Sequence, residues 1–91
     1  MSERRRVRVV VRGSVQSVGF RATTRSRARS LDVAGWVRNN PDGTVEAELE
    51  GPPDQVGSLV DWLRHGPRGA QVDAIDVEPL DPTGEQGFSI R

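Results

Sequence analysis

The chain has 91 residues, with thirteen arginines, no lysine, no cysteine and one histidine, and its thirteen acidic residues bring the formal net charge to zero. A chain of this length forms one domain that buries only about 60–65% of its unfolded surface. Disulfide, thiolate and lysine chemistry are excluded, a lone histidine argues against a zinc centre, and no apolar run is long enough to span a bilayer.

The basic N-terminus leads into no apolar signal segment, so a soluble cytoplasmic protein is the expectation. Residues 1–40 hold ten arginines and two acids, whereas residues 41–91 hold three arginines and eleven acids. Folded against each other, these halves are expected to leave a basic face, which would attract anionic substrates, and an acidic one.

In chain order, residues 1–5 carry a charge run and are expected to fray. Val7, Val9 and Val11 then alternate with Arg8, Val10 and Arg12. That is strand periodicity, and Gly13 ends it. From Phe20 the spacing becomes helical, with Phe20, Thr24, Ala28 and Leu31 on one stripe and Arg21, Arg25 and Arg29 on another. Val33 to Asn39 reads as a second strand carrying Trp36, and Asn40-Pro41-Asp42-Gly43 as a hairpin turn. The third strand sets Val45, Ala47 and Leu49 against Glu46, Glu48 and Glu50, which predicts one buried face and one wet face.

Pro52, Pro53 and Asp54 suit a helix start, and Val56, Leu59, Val60 and Leu63 form an amphipathic stripe that Gly66-Pro67 stops. Val72 to Val77 reads as a fourth strand whose phase slips between Ala74 and Ile75, predicting a bulge or a late start. Asp81-Pro82-Thr83-Gly84 is a turn, and Phe88 to Ile90 a short last strand. The order β-α-β-β-α-β predicts a single α+β domain over residues 1–91. Its expected architecture is a ferredoxin-like split βαβ sandwich, an antiparallel sheet with two helices on one face.

The join between the first strand and the first helix carries the chemistry. Gly13-Ser14-Val15-Gln16-Ser17-Val18-Gly19-Phe20-Arg21 sets a glycine and an arginine at a helix start. Backbone N–H groups, the helix dipole and a guanidinium can converge there on one anion, which suggests a phosphate site. The alternative for Arg21 is a solvated arginine, as for Arg25 and Arg29. Asn39 ends a strand before a turn, where asparagine often bonds to local backbone. His65 sits where a helix end favours a cation, Asp42 belongs to the turn, and Trp36 and Trp62 are packing residues. Gly13 and Gly19 serve backbone geometry and leave room for an anion.

Two motifs, residues 13–21 and Gly35-Trp36-Val37-Arg38-Asn39-Asn40-Pro41-Asp42-Gly43-Thr44-Val45, together with their spacing, resemble the acylphosphatase family. Trp62-Leu63, Gly66-Pro67 and Phe88-Ser89-Ile90 extend the resemblance over residues 6–91. It implies hydrolysis of acyl phosphates to carboxylate and inorganic phosphate, without a cofactor or metal. By the same resemblance Arg21 and the backbone of Val15, Gln16, Ser17, Val18, Gly19 and Phe20 hold the phosphate, and Asn39 orients the attacking water. Thr44 is expected to hydrogen-bond toward Asn39, unless it is only a strand residue.

Two departures stand out: Ser17 where the family pattern has glycine, and Ala22 where many members carry an aromatic. Serine would strain the loop by about 1 kcal/mol or more at positive φ, and costs little at negative φ. Two other classes of function fit less of the sequence. One is a non-catalytic domain that binds phosphate or carbamoyl phosphate or a protein partner. The other is an RNA-binding module, which the absence of tyrosine and the glutamate-bearing strand disfavour. The expected partners are a small acyl phosphate and its phosphate product, with no nucleic acid or membrane, and the chain is expected to act as a monomer.

Overall fold

The structure is a computed structural model that describes residues 3–91. The elements are β1 (Arg5–Ser14), α1 (Phe20–Ser30), β2 (Ala34–Asn39), β3 (Val45–Gly51), α2 (Pro53–Leu63), β4 (Gln71–Leu80) and β5 (Phe88–Ile90). One sheet has the order β4-β1-β3-β2-β5. The β1–β3, β1–β4 and β2–β3 pairs are antiparallel, as expected of a split βαβ fold. The sheet is nevertheless mixed, because β5 lies parallel to β2 and pairs Val37 with Ile90.

Parity decides the core. Val7, Val9 and Val11 face Leu49, Ala47 and Val45 across the β1–β3 ladder, and all six are buried. Both helices cover this face. α1 lays down Phe20, Thr24 and Ala28, and α2 lays down Val56, Leu59, Val60 and Leu63. Phe20 meets Trp62 at a ring separation of 5.8 Å, and the Arg27 guanidinium lies over the Trp62 ring, 4.9 Å from its centroid. The predicted slip in β4 is a bulge: Arg12 pairs with Ala74 and Gly13 with Val72, so Asp73 is the extra residue. Gly13 is demanded by this crowding, since a Cβ there would lie 2.1 Å from the Gln71 carbonyl oxygen. The space at Gly13 therefore serves strand approach and not an anion.

The opposite sheet face overturns two expectations. Glu46 and Glu50 are not wet but buried, and the two charged halves do not form separate faces. The antiparallel register sets Arg6 against Glu50 and Arg8 against Glu48, so the charges neutralise each other across the strands. Arg6 Nη1 donates to Glu50 at 2.9 Å, and Arg6 Nη2 donates to Glu48 at 2.7 Å and to Glu85 at 2.9 Å. Arg8 and Arg38 both bridge to Glu46. Trp36 lies on this face beneath the guanidinium groups of Arg38 and Arg91, at 5.1 and 4.8 Å. Of the residues expected to fray, Met1 and Ser2 lie outside the described residues. Arg4 reaches Glu50 at 3.0 Å and Arg5 pairs with Gly51.

This cluster also routes the chain to β5. Glu50 accepts the backbone N–H of Thr83 and of Gly84, each at 2.8 Å, and so holds the 81–87 segment as it crosses toward the β2 edge. Burial alone would raise the Glu50 pKa. The Thr83 N–H, Arg6, the Gly84 N–H and Arg4 outweigh burial and lower it from 4.5 to about 2. Because the folded value is depressed, the stabilisation is complete above the unfolded pKa and is lost as pH falls through the folded one. Glu50→Gln should destabilise the protein by about 3 kcal/mol at neutral pH. Urea titrations should show this difference from wild type fading between pH 4.5 and about 2. A difference independent of pH would contradict the assigned charge.

Candidate active site

The ends of β1 and β2 lie at the same end of the sheet, because both pair antiparallel with β3, Val11 and Asn39 each opposite Val45. Asn39 shares the parity of Gly35 and Val37, so it belongs to the helix-covered face, while Arg38 belongs to the other. The loop from Val15 to Gly19 leaves β1 at that end and feeds α1. A cavity of about 200 Å³ forms there, lined by Val15, Ser17, Gly19, Phe20, Arg21, Ala22, Asn39 and Ile90. A larger hollow of about 550 Å³ lies elsewhere, between Arg4, Arg29, Asp32 and the 85–89 segment, and holds none of the motif residues.

The loop is built to present N–H groups. Gly19 is the N-cap of α1 in the left-handed region, φ 73° and ψ 19°, and it brings no side chain to cap the helix. No acidic residue sits in the first turn, so the first N–H groups of α1 lack the side-chain acceptors that usually satisfy them. Ser17 is also left-handed, with φ 64°. Left-handed residues alternating along a loop turn successive N–H groups toward one concavity. The sequence departure at Ser17 therefore falls on the strained alternative. Ser17→Gly should stabilise the fold by about 0.5–1 kcal/mol, read as a shift in the urea midpoint. An unchanged midpoint would show that the loop stores no strain there.

Arg21 is exposed, one residue into α1, and no described group forms an ion pair or hydrogen bond with it. Its position opposes the helix dipole, a penalty that a bound anion would offset. Asn39 is half-buried, and its side-chain amide likewise has no partner among the described residues. Thus the cavity brings together a free guanidinium, a free amide and outward-facing backbone donors. This set can hold a phosphoryl group and place a water beside it.

Other expectations fare differently. Thr44 does not bond to Asn39. Its N–H and hydroxyl donate to Asp42 Oδ1 at 3.0 and 2.7 Å, and its Oγ1 accepts from Asn40 at 3.0 Å. Asp42 wins because a turn aspartate reaches the N–H two residues on at no cost in strain. The same two bonds hold the Asp42 carboxyl below its ordinary pKa. Glu46 is also lowered: burial would raise it, but hydrogen bonds from Asn40, Arg38 and Arg8 prevail. Gln16 and Val18 do not line the cavity; Gln16 turns to the β2–β3 hairpin, and Val18 packs against the core. His65 is exposed at the end of α2.

Ile90 was not foreseen, since its place beside Asn39 comes only from β5 pairing with β2. Among the described residues, no group of three or more His, Cys, Asp or Glu is arranged to hold a metal ion, and no helix is long and apolar enough to cross a membrane.

A family model described as Acylphosphatase matches residues 7–90. An acylphosphatase of Anaeromyxobacter dehalogenans is 52% identical over 92 residues, covering 100% of this chain and 99% of that protein. The solved structure of an acylphosphatase from Coxiella burnetii superposes with a TM-score of 0.93 at 34% identity, over 97% of this chain and 93% of that one. That of Bacillus subtilis gives 0.92 at 36% identity, over 96% and 98%.

Proposed function

The chain belongs to the acylphosphatase family, hydrolases of acyl phosphates, and on that premise we propose a division of labour between Arg21, the 15–20 loop and Asn39. The phosphoryl group of a small acyl phosphate enters the cavity. Arg21 binds two of its oxygens through the planar guanidinium fork, and the loop N–H groups take the remaining charge. These donors replace the water that a dianion loses on entry, without changing protonation state. The Asn39 amide accepts a hydrogen bond from a water through Oδ1 and aims its oxygen at phosphorus.

The water attacks in line, opposite the acyl oxygen. The phosphorus–oxygen bond to the acyl group breaks, its electron pair leaves with the carboxylate, and the water's protons end on inorganic phosphate. Asn39 cannot deprotonate water, and it has no need to. A carboxylate is a good leaving group, and a loose phosphoryl-transfer transition state asks mainly for positioning and charge stabilisation. The nucleophile is water and not a side chain, so no phosphoenzyme forms. One chain supplies every group named, so the reaction needs no second copy.

One observation carries this reading: Arg21 and Asn39, from different elements, line the same cavity as the loop. The test is phosphate release from acetyl phosphate or benzoyl phosphate, with and without a chelator. Turnover unaffected by chelator is expected. Absence of turnover would sink the assignment, and loss of turnover on chelation would sink the metal-free mechanism.

A further inference from the structure

We propose that the Gln16 side chain is a positioning residue that sets the spacing between the phosphate loop and Asn39; the inference rests on the division of labour above. Gln16 is half-buried in the loop, and its Nε2 donates to the carbonyl oxygens of Asn40, at 2.8 Å, and Thr44, at 3.0 Å. Both carbonyls already accept one backbone N–H each, Asn40 from Gly43 at 3.1 Å and Thr44 from Asn40 at 2.8 Å. A carbonyl oxygen has two lone pairs, and a glutamine amide has two N–H groups. The clamp therefore uses both donors and completes both acceptors.

Its location makes it more than a structural tie. Asn39 and Val45 are the last β2–β3 pair on this side, so residues 40 and 44 are the first step beyond the ladder. Gln16 grips the hairpin one residue after Asn39 and precedes Ser17, the first left-handed residue of the loop. Among the described residues, no other side-chain hydrogen bond joins loop 15–19 to hairpin 39–45. Beyond the strand pairing that sets β1 and β2 on either side of β3, this side chain is the direct hydrogen-bonded link from the loop to the hairpin that carries Asn39. Phosphate is held from the loop side alone, so loosening the clamp shifts the water and leaves the anion in place.

The test pairs Gln16→Met, which removes both donors at similar length, with Gln16→Glu, which turns oxygen toward oxygen. Each should lower kcat for benzoyl phosphate by about 10- to 100-fold, the scale expected for ångström misplacement of a reacting group. Inhibition by inorganic phosphate should stay within about threefold of wild type, since only transition-state geometry is lost. In an Asn39→Ala background, Gln16→Met should change kcat by less than about twofold, because the two residues act through one water.

An unchanged kcat in a folded variant would overturn the proposal. So would a full second loss in the Asn39→Ala background, or phosphate affinity falling in step with kcat. Failure of both variants to fold by circular dichroism would overturn it too, since the clamp would then be structural. Wild-type protein inactive toward acyl phosphates would instead sink the reaction itself, whereas active wild type with an unaffected Gln16→Met would sink the clamp alone.

Discussion

Arg21→Ala should lower kcat/KM for a small acyl phosphate by about 10³- to 10⁵-fold, the range seen when an arginine that stabilises phosphoryl-transfer charge is removed. Inhibition by inorganic phosphate should disappear in parallel. Both effects come from one cause. Among the described residues the guanidinium is the only charged side chain lining the cavity, and no described protein group competes for it. Without it, loop N–H groups face a dianion alone, and the desolvation of that dianion is no longer offset.

Folding should be unaffected or slightly improved, because an exposed cation at a helix N-terminus opposes the dipole. Arg21→Lys separates charge from shape. It keeps the positive charge and loses the fork, so it should recover part of the phosphate binding and little of the turnover. Phosphate inhibition preserved in Arg21→Ala, measured on folded protein, would remove Arg21 from the site.

Asn39→Ala should produce a different pattern. We expect kcat to fall by about 10²- to 10³-fold, with the inhibition constant of inorganic phosphate changed by no more than about threefold. In the proposed division of labour Asn39 touches the nucleophile and not the ground-state phosphoryl group, so its loss removes an interaction made only as the water attacks. Its side chain has no partner among the described residues, so truncation leaves no buried group unsatisfied, and stability should hold. Asn39→Asp would be instructive. It retains an acceptor, but it adds a negative charge facing the phosphoryl dianion, so it should lose phosphate binding as well. Equal losses of binding in Arg21→Ala and Asn39→Ala would contradict the division of labour.

Part of the cavity wall is apolar. Ala22 and Ile90 line the cavity together with Arg21 and Asn39. Ala22 is the second position where the chain departs from the family pattern.

Much of this was legible before any coordinates. The strand alternation of Val7, Val9 and Val11 and the helical stripe of Val56, Leu59, Val60 and Leu63 reported their buried faces directly, because period alone assigns a side. The glycine and arginine at the start of α1 point to the proposed anion site through local geometry. The slip between Ala74 and Ile75 pointed to a bulge that lies one residue earlier, at Asp73.

The expectations that failed did so for different reasons. Glu46 and Glu50 looked wet because a strand of alternating glutamates reads as a solvated face. Only the register that sets Arg6 opposite Glu50, and the segment through Thr83 and Gly84 that covers the carboxylate, make burial affordable. Thr44 turns to the turn aspartate Asp42 and not to Asn39.

By itself, then, the amino-acid sequence determined the element order and the two buried helix faces, and it supplied the residues proposed to hold a phosphoryl group and a water. Those depend on periodicity and on side-chain chemistry, which are local properties. Tertiary structure alone decided that Gln16 reaches the carbonyls of Asn40 and Thr44, that Ile90 stands beside Asn39, and that arginines from one half neutralise glutamates from the other. Such contacts join residues far apart in the chain, and their distances follow from strand register and loop closure, which no local pattern encodes.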